Sequence, residues 1–138
     1  MDLKPYIRDV PDFPVFGILF RDITPLLREP RAFACALDLM TEHIATLGAG
    51  AICGIESRGF LFAAPIAQRL ALPFVPIRKP GKLPAARMSI EFTLEYGDSQ
   101  LDIHADALEP GQRAVVVDDL LATGGTALAA AKLVELAG

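Results

Sequence analysis

The chain is short of the residue types that announce disulfide scaffolds and metal centres. Only two cysteines occur, Cys35 and Cys53, and both are flanked by apolar residues. Two buried, reduced thiols are the expectation, and with them a cytoplasmic setting. Only two histidines occur, His43 and His104, and neither has a partner at metal-ligand spacing, so both read as structural. Long apolar runs are absent as well. None approaches the roughly 20 residues of a membrane span. Leu3 to Val10 is interrupted by Lys4, Pro5, Arg8 and Asp9, which excludes a signal peptide. There is no excess of basic charge. A net charge of −4 argues against a general nucleic-acid or anionic-membrane surface. No repeat and no low-complexity tract is visible, and the glycines form neither a Walker A loop nor G-x-G-x-x-G.

What is present is a core-forming composition. The 138 residues are 52% hydrophobic, which suits one domain. Met1 to Pro14, with three prolines, reads as an irregular arm containing a helical turn. Pro30 to Leu47 reads as a helix, because Phe33, Leu37, Met40, Ile44 and Leu47 recur at three- and four-residue spacing and Gly48 and Gly50 follow. Ala51 to Ile55, Phe74 to Ile77 and Ala114 to Val117 are short apolar runs, as in buried strands. Phe60 to Leu70 and Thr126 to Leu136 read as helices. Strands alternating with helices predict an α/β class with a mostly parallel central sheet flanked by helices. Arg78 to Met88 carries Pro80, Gly81 and Pro84 among basic residues and no acid, and reads as a mobile basic loop. Ile90 to Tyr96 and Gln100 to His104 suggest a hairpin turning at Gly97-Asp98. The chain stops directly after a helix, where such a sheet normally receives another strand, so a C-terminally incomplete domain is expected.

One stretch carries chemistry. "AVVVDDLLATGGTALAAAKLVE" places Asp118 and Asp119 at the end of a strand, followed by Thr123-Gly124-Gly125-Thr126 at the start of a helix. In open α/β sheets ligands bind beyond the carboxyl ends of strands. A helix N-terminus offers unpaired N–H groups and partial positive charge, and glycines let a phosphate approach. Two carboxylates would repel a bare phosphate, but they accept well from the hydroxyls of a ribose diol. A ribose 5-phosphate meets both demands. For T-G-G-T alone, an ordinary capped strand–turn–helix is an equal alternative. The Asp-Asp pair in its strand context favours the ligand.

"VVVDDLLATGGT" closely resembles the 5-phosphoribosyl-1-pyrophosphate (PRPP) motif of the type I phosphoribosyltransferases. "FGILFRDITPLL", "IESRGFLFAAPIA", "IRKPGKLP" and "LEYGDSQLDIHADALEPGQR" resemble, in order, the branch of that family whose acceptor base is adenine. The resemblance runs from Phe13 onward. It implies transfer of the phosphoribosyl group from PRPP to adenine, giving AMP and pyrophosphate, with Mg²⁺ held mainly through substrate, in a homodimer. It further implies a site in four parts, with a small hood formed by the N-terminal arm and the hairpin. Asp118 and Asp119 take the ribose, and Ala122, Thr123, Gly124, Gly125 and Thr126 the 5-phosphate. Ser57, Arg58 and Gly59 form a pyrophosphate loop, often with a non-proline cis peptide, and Arg78, Lys79 and Lys82 add cations there. Leu19, Phe20 and Arg21 meet the adenine. Glu95 handles the base proton, with Tyr96 beside it. Each also has a plainer reading: a turn arginine at Arg58, solvated lysines, a core Phe20, an exposed Glu95. Two other functions stay open, a transferase for another base and a non-catalytic PRPP- or nucleotide-sensing module.

Overall fold

The computed structural model describes residues 1–94, 97–119 and 124–138, which divide into two compact units, Met1–Glu42 and His43–Gly138. The first unit opens with a 3-10 turn, Lys4–Tyr6, then strands β1 (Arg8–Val10) and β2 (Phe20–Asp22). These two pair antiparallel, Arg8 with Asp22 and Val10 with Phe20. The arm expected to be irregular thus contains a short ribbon, braced by Arg8–Asp22 and Arg21–Asp9 ion pairs at 3.7 and 3.4 Å. The pairing depends on partners 10 to 14 residues downstream, which local propensity does not reveal. Helix α1 (Thr24–Arg28) follows, with Pro25 in its first turn, where proline is tolerated. Helix α2 (Pro30–Ala45) begins at a proline for the same reason, and Ala32, Ala36 and Leu37 are its buried positions in this unit.

The second unit contains the central sheet. Strands β3 (Ala51–Ile55), β4 (Phe74–Ile77) and β7 (Ala114–Val117) form a parallel sheet in the order β4-β3-β7. Every residue of the middle strand β3 is buried, so its apolar run is continuous rather than alternating. Its two faces have different neighbours. Ala51, Cys53 and Ile55 join a core with Val75, Ile77, Leu101, Ile103, Ala129, Ala130 and Leu133. Gly54, on the opposite face, meets helix α3 (Arg58–Leu70). A Cβ built there would lie 2.7 Å from Ala63 Cβ and 2.9 Å from the Phe74 ring, so only glycine lets α3 seat against β3. Helix α3 carries Pro65 in its interior and ends at Ala71 in the left-handed conformation.

The hairpin is formed by β5 (Arg87–Leu94) and β6 (Gly97–His104), and helix α4 (Gly125–Ala137) packs against it and against β7. Two expectations are corrected here. Arg87 and Met88 are in a strand rather than a loop, because they pair with His104 and Ile103. Gly97 and Asp98 do not form the turn; they pair with Leu94 and Thr93 and belong to β6. Glycine in β6 weakened the strand signal there, and the ladder overrode it. Gly54→Val is expected to destabilise the protein by about 1–3 kcal/mol through overpacking, read as a lower urea midpoint, whereas Ala34→Val on half-buried α2 is expected to change it little.

Candidate active site

Strand register decides where the functional segments meet. Ile55 lies opposite Ile77, and Gly54 opposite Val117, so β3, β4 and β7 end nearly level. The residues that leave these ends are Glu56-Ser57-Arg58, Arg78-Lys79 and Asp118-Asp119. Three segments far apart in the sequence therefore emerge on one edge of the sheet, where α/β folds bind ligands.

Contacts among them are short. Gly59 sits so close to β7 that an added Cβ would be 2.8 Å from the Val117 carbonyl oxygen and 3.2 Å from Asp118 Oδ1. This approach carries Arg58 to the acid pair, and Arg58 Nε lies 3.0 Å from Asp119 Oδ2. The Asp119 N–H donates to Asp118 Oδ1 at 2.8 Å. Burial, and then the neighbouring Asp119 charge, push the Asp118 carboxyl up to about 6, against the opposing pull of Arg58. The peptide bond Glu56–Ser57 is cis, as the resemblance implied for this loop.

Glu56 was not singled out in the sequence, yet it organises the basic segment. Its Oε1 accepts from Arg78 Nε at 2.9 Å and from the Lys79 N–H at 3.2 Å. Burial raises its pKa, but the Lys79 N–H, the Arg78 guanidinium and the Lys82 charge outweigh that, and the net shift is downward. The Arg78 guanidinium also lies 6.0 Å from the Phe60 ring centroid. The available signal was an acid directly before the Ser57-Arg58-Gly59 loop, but sequence gave it no partner. Lys79 and Lys82 themselves are exposed.

The glycine turn is described from Gly124 onward. Gly124 has φ of 86°, the left-handed region that favours glycine, and α4 starts at Gly125 with Thr126 in its first turn. Ala122 and Thr123 lie outside the described residues, as do Glu95 and Tyr96. In the first unit, Phe20 is half-buried in β2, edge-on to Phe13 with centroids 5.2 Å apart. Leu19 is exposed, and Arg21 is engaged with Asp9. The cysteines take no part in this geometry. Cys53 is buried in β3, and burial pushes its thiol up to about 11, so it is unreactive near neutrality.

A parallel sheet with a cation–carboxylate cluster and a glycine-led helix at its carboxyl edge is the arrangement of the type I phosphoribosyltransferase fold. A match to the phosphoribosyl transferase domain extends over residues 25–138, and the chain belongs to that family. Its relatives include the adenine phosphoribosyltransferase of Gloeobacter violaceus, 62% identical over the whole chain and 81% of that protein, and that of Carboxydothermus hydrogenoformans, 54% identical with the same coverage. The crystal structure of the adenine phosphoribosyltransferase from Thermoanaerobacter pseudethanolicus superimposes with a TM-score of 0.93 at 53% identity, covering 96% of this chain and 77% of that one. The Saccharomyces cerevisiae enzyme, crystallised with an imino-altritol bisphosphate and adenine, gives 0.92 at 40% identity, covering 98% and 80%.

The Asp118 shift has a consequence for stability. Its folded value of about 6 exceeds the ordinary 3.8, so the folded state holds the proton more tightly. This stabilisation is fully present below about pH 4 and is lost as pH rises through about 6. Asp118→Asn should therefore be at least as stable as wild type at pH 7.5, and its advantage should shrink as the pH is lowered to 4.5. Urea unfolding of the two proteins across that range measures this.

Proposed function

We infer that this chain transfers the 5-phosphoribosyl group from PRPP to adenine, giving AMP and pyrophosphate, a purine-salvage reaction. The observation that carries the reading is the convergence of Asp118-Asp119, Arg58 and Arg78-Lys79 on the level ends of three parallel strands. Opposite charges placed side by side suit a ligand that offers both hydroxyls and phosphates.

The roles follow from the chemistry of each group. Asp118 and Asp119 accept hydrogen bonds from the ribose 2′- and 3′-hydroxyls. The 5-phosphate takes the start of α4, where Gly124, Gly125 and Thr126, with Ala122 and Thr123, present N–H and hydroxyl donors. Ser57, Arg58 and Gly59, with Arg78, Lys79 and Lys82, take the pyrophosphate. As the bond from C1 to the pyrophosphate oxygen breaks, charge builds on that oxygen, and fixed cations stabilise it. The sugar gains oxocarbenium character, and adenine N9 completes the substitution at C1. Phe20 stacks on the base, with the backbone of Leu19 and Arg21 meeting its edge. Glu95, beside Tyr96, accepts the proton that neutral adenine must lose.

The reading includes Mg²⁺ bound mostly through substrate. Asp119 Oδ2 faces Arg58 and Glu56 Oε1 faces Arg78, so the carboxylates here are largely engaged by cations. That donor set fits an ion that would be held mainly through substrate rather than in a cage of protein carboxylates. When bound, it would neutralise charge on the leaving group. We place the enzyme in the cytoplasm as a homodimer. Apolar side chains at Phe13, Val15 and Phe16, the last 91% exposed, supply surface for self-association, which sedimentation would detect.

Pyrophosphate release is expected when PRPP and Mg²⁺ are supplied with adenine, and little is expected with hypoxanthine or guanine. Release with another purine in preference to adenine would overturn the base assignment. Asp119→Asn should lower kcat/KM for PRPP by roughly 10- to 100-fold, the effect of losing one charge-assisted hydrogen bond.

A further inference from the structure

Asp102 is the fully buried charged residue among those described. It lies in β6, opposite Ser89 of β5. Its Oδ1 accepts from Ser89 Oγ at 2.7 Å and from Gln100 Nε2 at 2.9 Å. Its Oδ2 lies 3.3 Å from Arg87 Nε, an ion-pair contact, with no aligned hydrogen bond among the described residues. A carboxylate withdrawn from water this completely is strongly destabilising unless it is paired and hydrogen-bonded. A neutral or apolar residue would serve a plain two-stranded ribbon at least as well. The charge therefore calls for an explanation in what Asp102 connects.

Its surroundings supply one. On the edge of β6 away from β5, the Asp102 backbone exchanges two hydrogen bonds with Arg78, at 2.9 and 2.8 Å. Arg78 begins the basic loop and Arg87, the first residue of β5, lies just past its other end, with Lys79 and Lys82 between. The backbone of Asp102 thus grips one end and its carboxylate the other. Three residues along, the Ala105 N–H donates to the Ala86 carbonyl at 2.9 Å. A loop held at both ends has fewer conformations to lose when it engages a polyanion, which raises affinity without any new contact.

We propose that Asp102 is a positioning residue that fixes both ends of the basic loop and so sets the affinity for ligands bearing pyrophosphate, without touching them. The proposal rests on the pyrophosphate role inferred above for Arg78, Lys79 and Lys82. It separates two ligands of one site. AMP carries the ribose and 5-phosphate but no pyrophosphate, so it is indifferent to the loop, whereas PRPP needs it.

The test compares wild type with Asp102→Asn, Arg87→Gln and Arg87→Lys. Arg87→Gln leaves the Asp102 carboxylate its hydrogen bonds from Ser89 and Gln100, Arg87→Lys keeps a cation beside it, and circular dichroism checks that each variant is folded before binding is measured. Calorimetry with Mg²⁺ measures binding of PRPP and of AMP, and trypsin cleavage after Lys82 reports opening of the loop. Asp102→Asn and Arg87→Gln should bind PRPP about tenfold more weakly, as expected for one charge-assisted contact, with AMP affinity unchanged and cleavage accelerated. Arg87→Lys should recover most of the PRPP affinity. Equal losses for PRPP and AMP, or wild-type PRPP affinity in Arg87→Gln, would overturn the proposal. If wild type bound neither ligand, the functional reading would fail by itself; the cleavage rates would still decide the anchoring, upheld if faster in Arg87→Gln and refuted if unchanged.

Discussion

The contact between Gly59 and the end of β7 is the constraint on which the site depends. The Val117 carbonyl and the Asp118 carboxylate leave no room for a side chain at Gly59. Helix α3 can therefore begin directly against the strand that carries the acid pair. Arg58, one residue earlier, is delivered within 3.0 Å of Asp119 as a result. Gly54 performs the equivalent service one turn deeper, letting the body of α3 lie on β3. Both glycines act by absence of volume, and together they fix the helix in two places.

Around that contact, charge is arranged in alternation. Glu56 stands between Arg78 and the backbone of Lys79, Asp119 faces Arg58, and Asp118 stands beside Asp119 with its affinity for a proton raised. Such a cluster is costly for the folded state, because the partly desolvated Asp118, beside a like charge, resists ionisation. A ligand with hydroxyls on one side and phosphates on the other relieves that repulsion and uses the cations. Functional sites commonly retain arrangements of this kind at some expense of stability. The hairpin adds a second layer. Its buried Asp102 lies behind the basic loop rather than at its exposed tip.

Several parts of this were legible in the sequence. The boundaries of β3, β4 and β7 follow from short apolar runs, since a strand covered on both faces has no reason to alternate. Helix α2 follows from its period, although Leu47, at the end of the pattern, lies past Ala45 and is 37% exposed. The ribbon of β1 and β2 was not legible, because three-residue strands carry almost no pattern and owe their existence to each other. The extent of β5 and β6 was misjudged for a related reason. Basic residues and a glycine depress strand propensity, and the cross-strand ladder compensates for it. Asp102 gave no signal at all: an aspartate between Leu101 and Ile103 looks like a solvated polar position, and only its neighbours Ser89, Gln100 and Arg87 show that it is buried.

The sequence by itself determined the chemical vocabulary of the protein: which strands are buried, where the two acids and the glycine turn follow a strand, and where basic residues gather. These are local properties, fixed by side-chain volume, charge and backbone freedom along contiguous residues. Tertiary structure alone decided which of these segments face one another. Parallel pairing of β3 with β4 and β7 in one particular register levels the strand ends. From that come the Arg58–Asp119 pair, the Glu56–Arg78 pair and the Asp102 anchor, whose partners are separated by up to 61 residues because 119 − 58 = 61. Pairing over such distances is set by the packing of the whole sheet and its helices, so no stretch of sequence contains it.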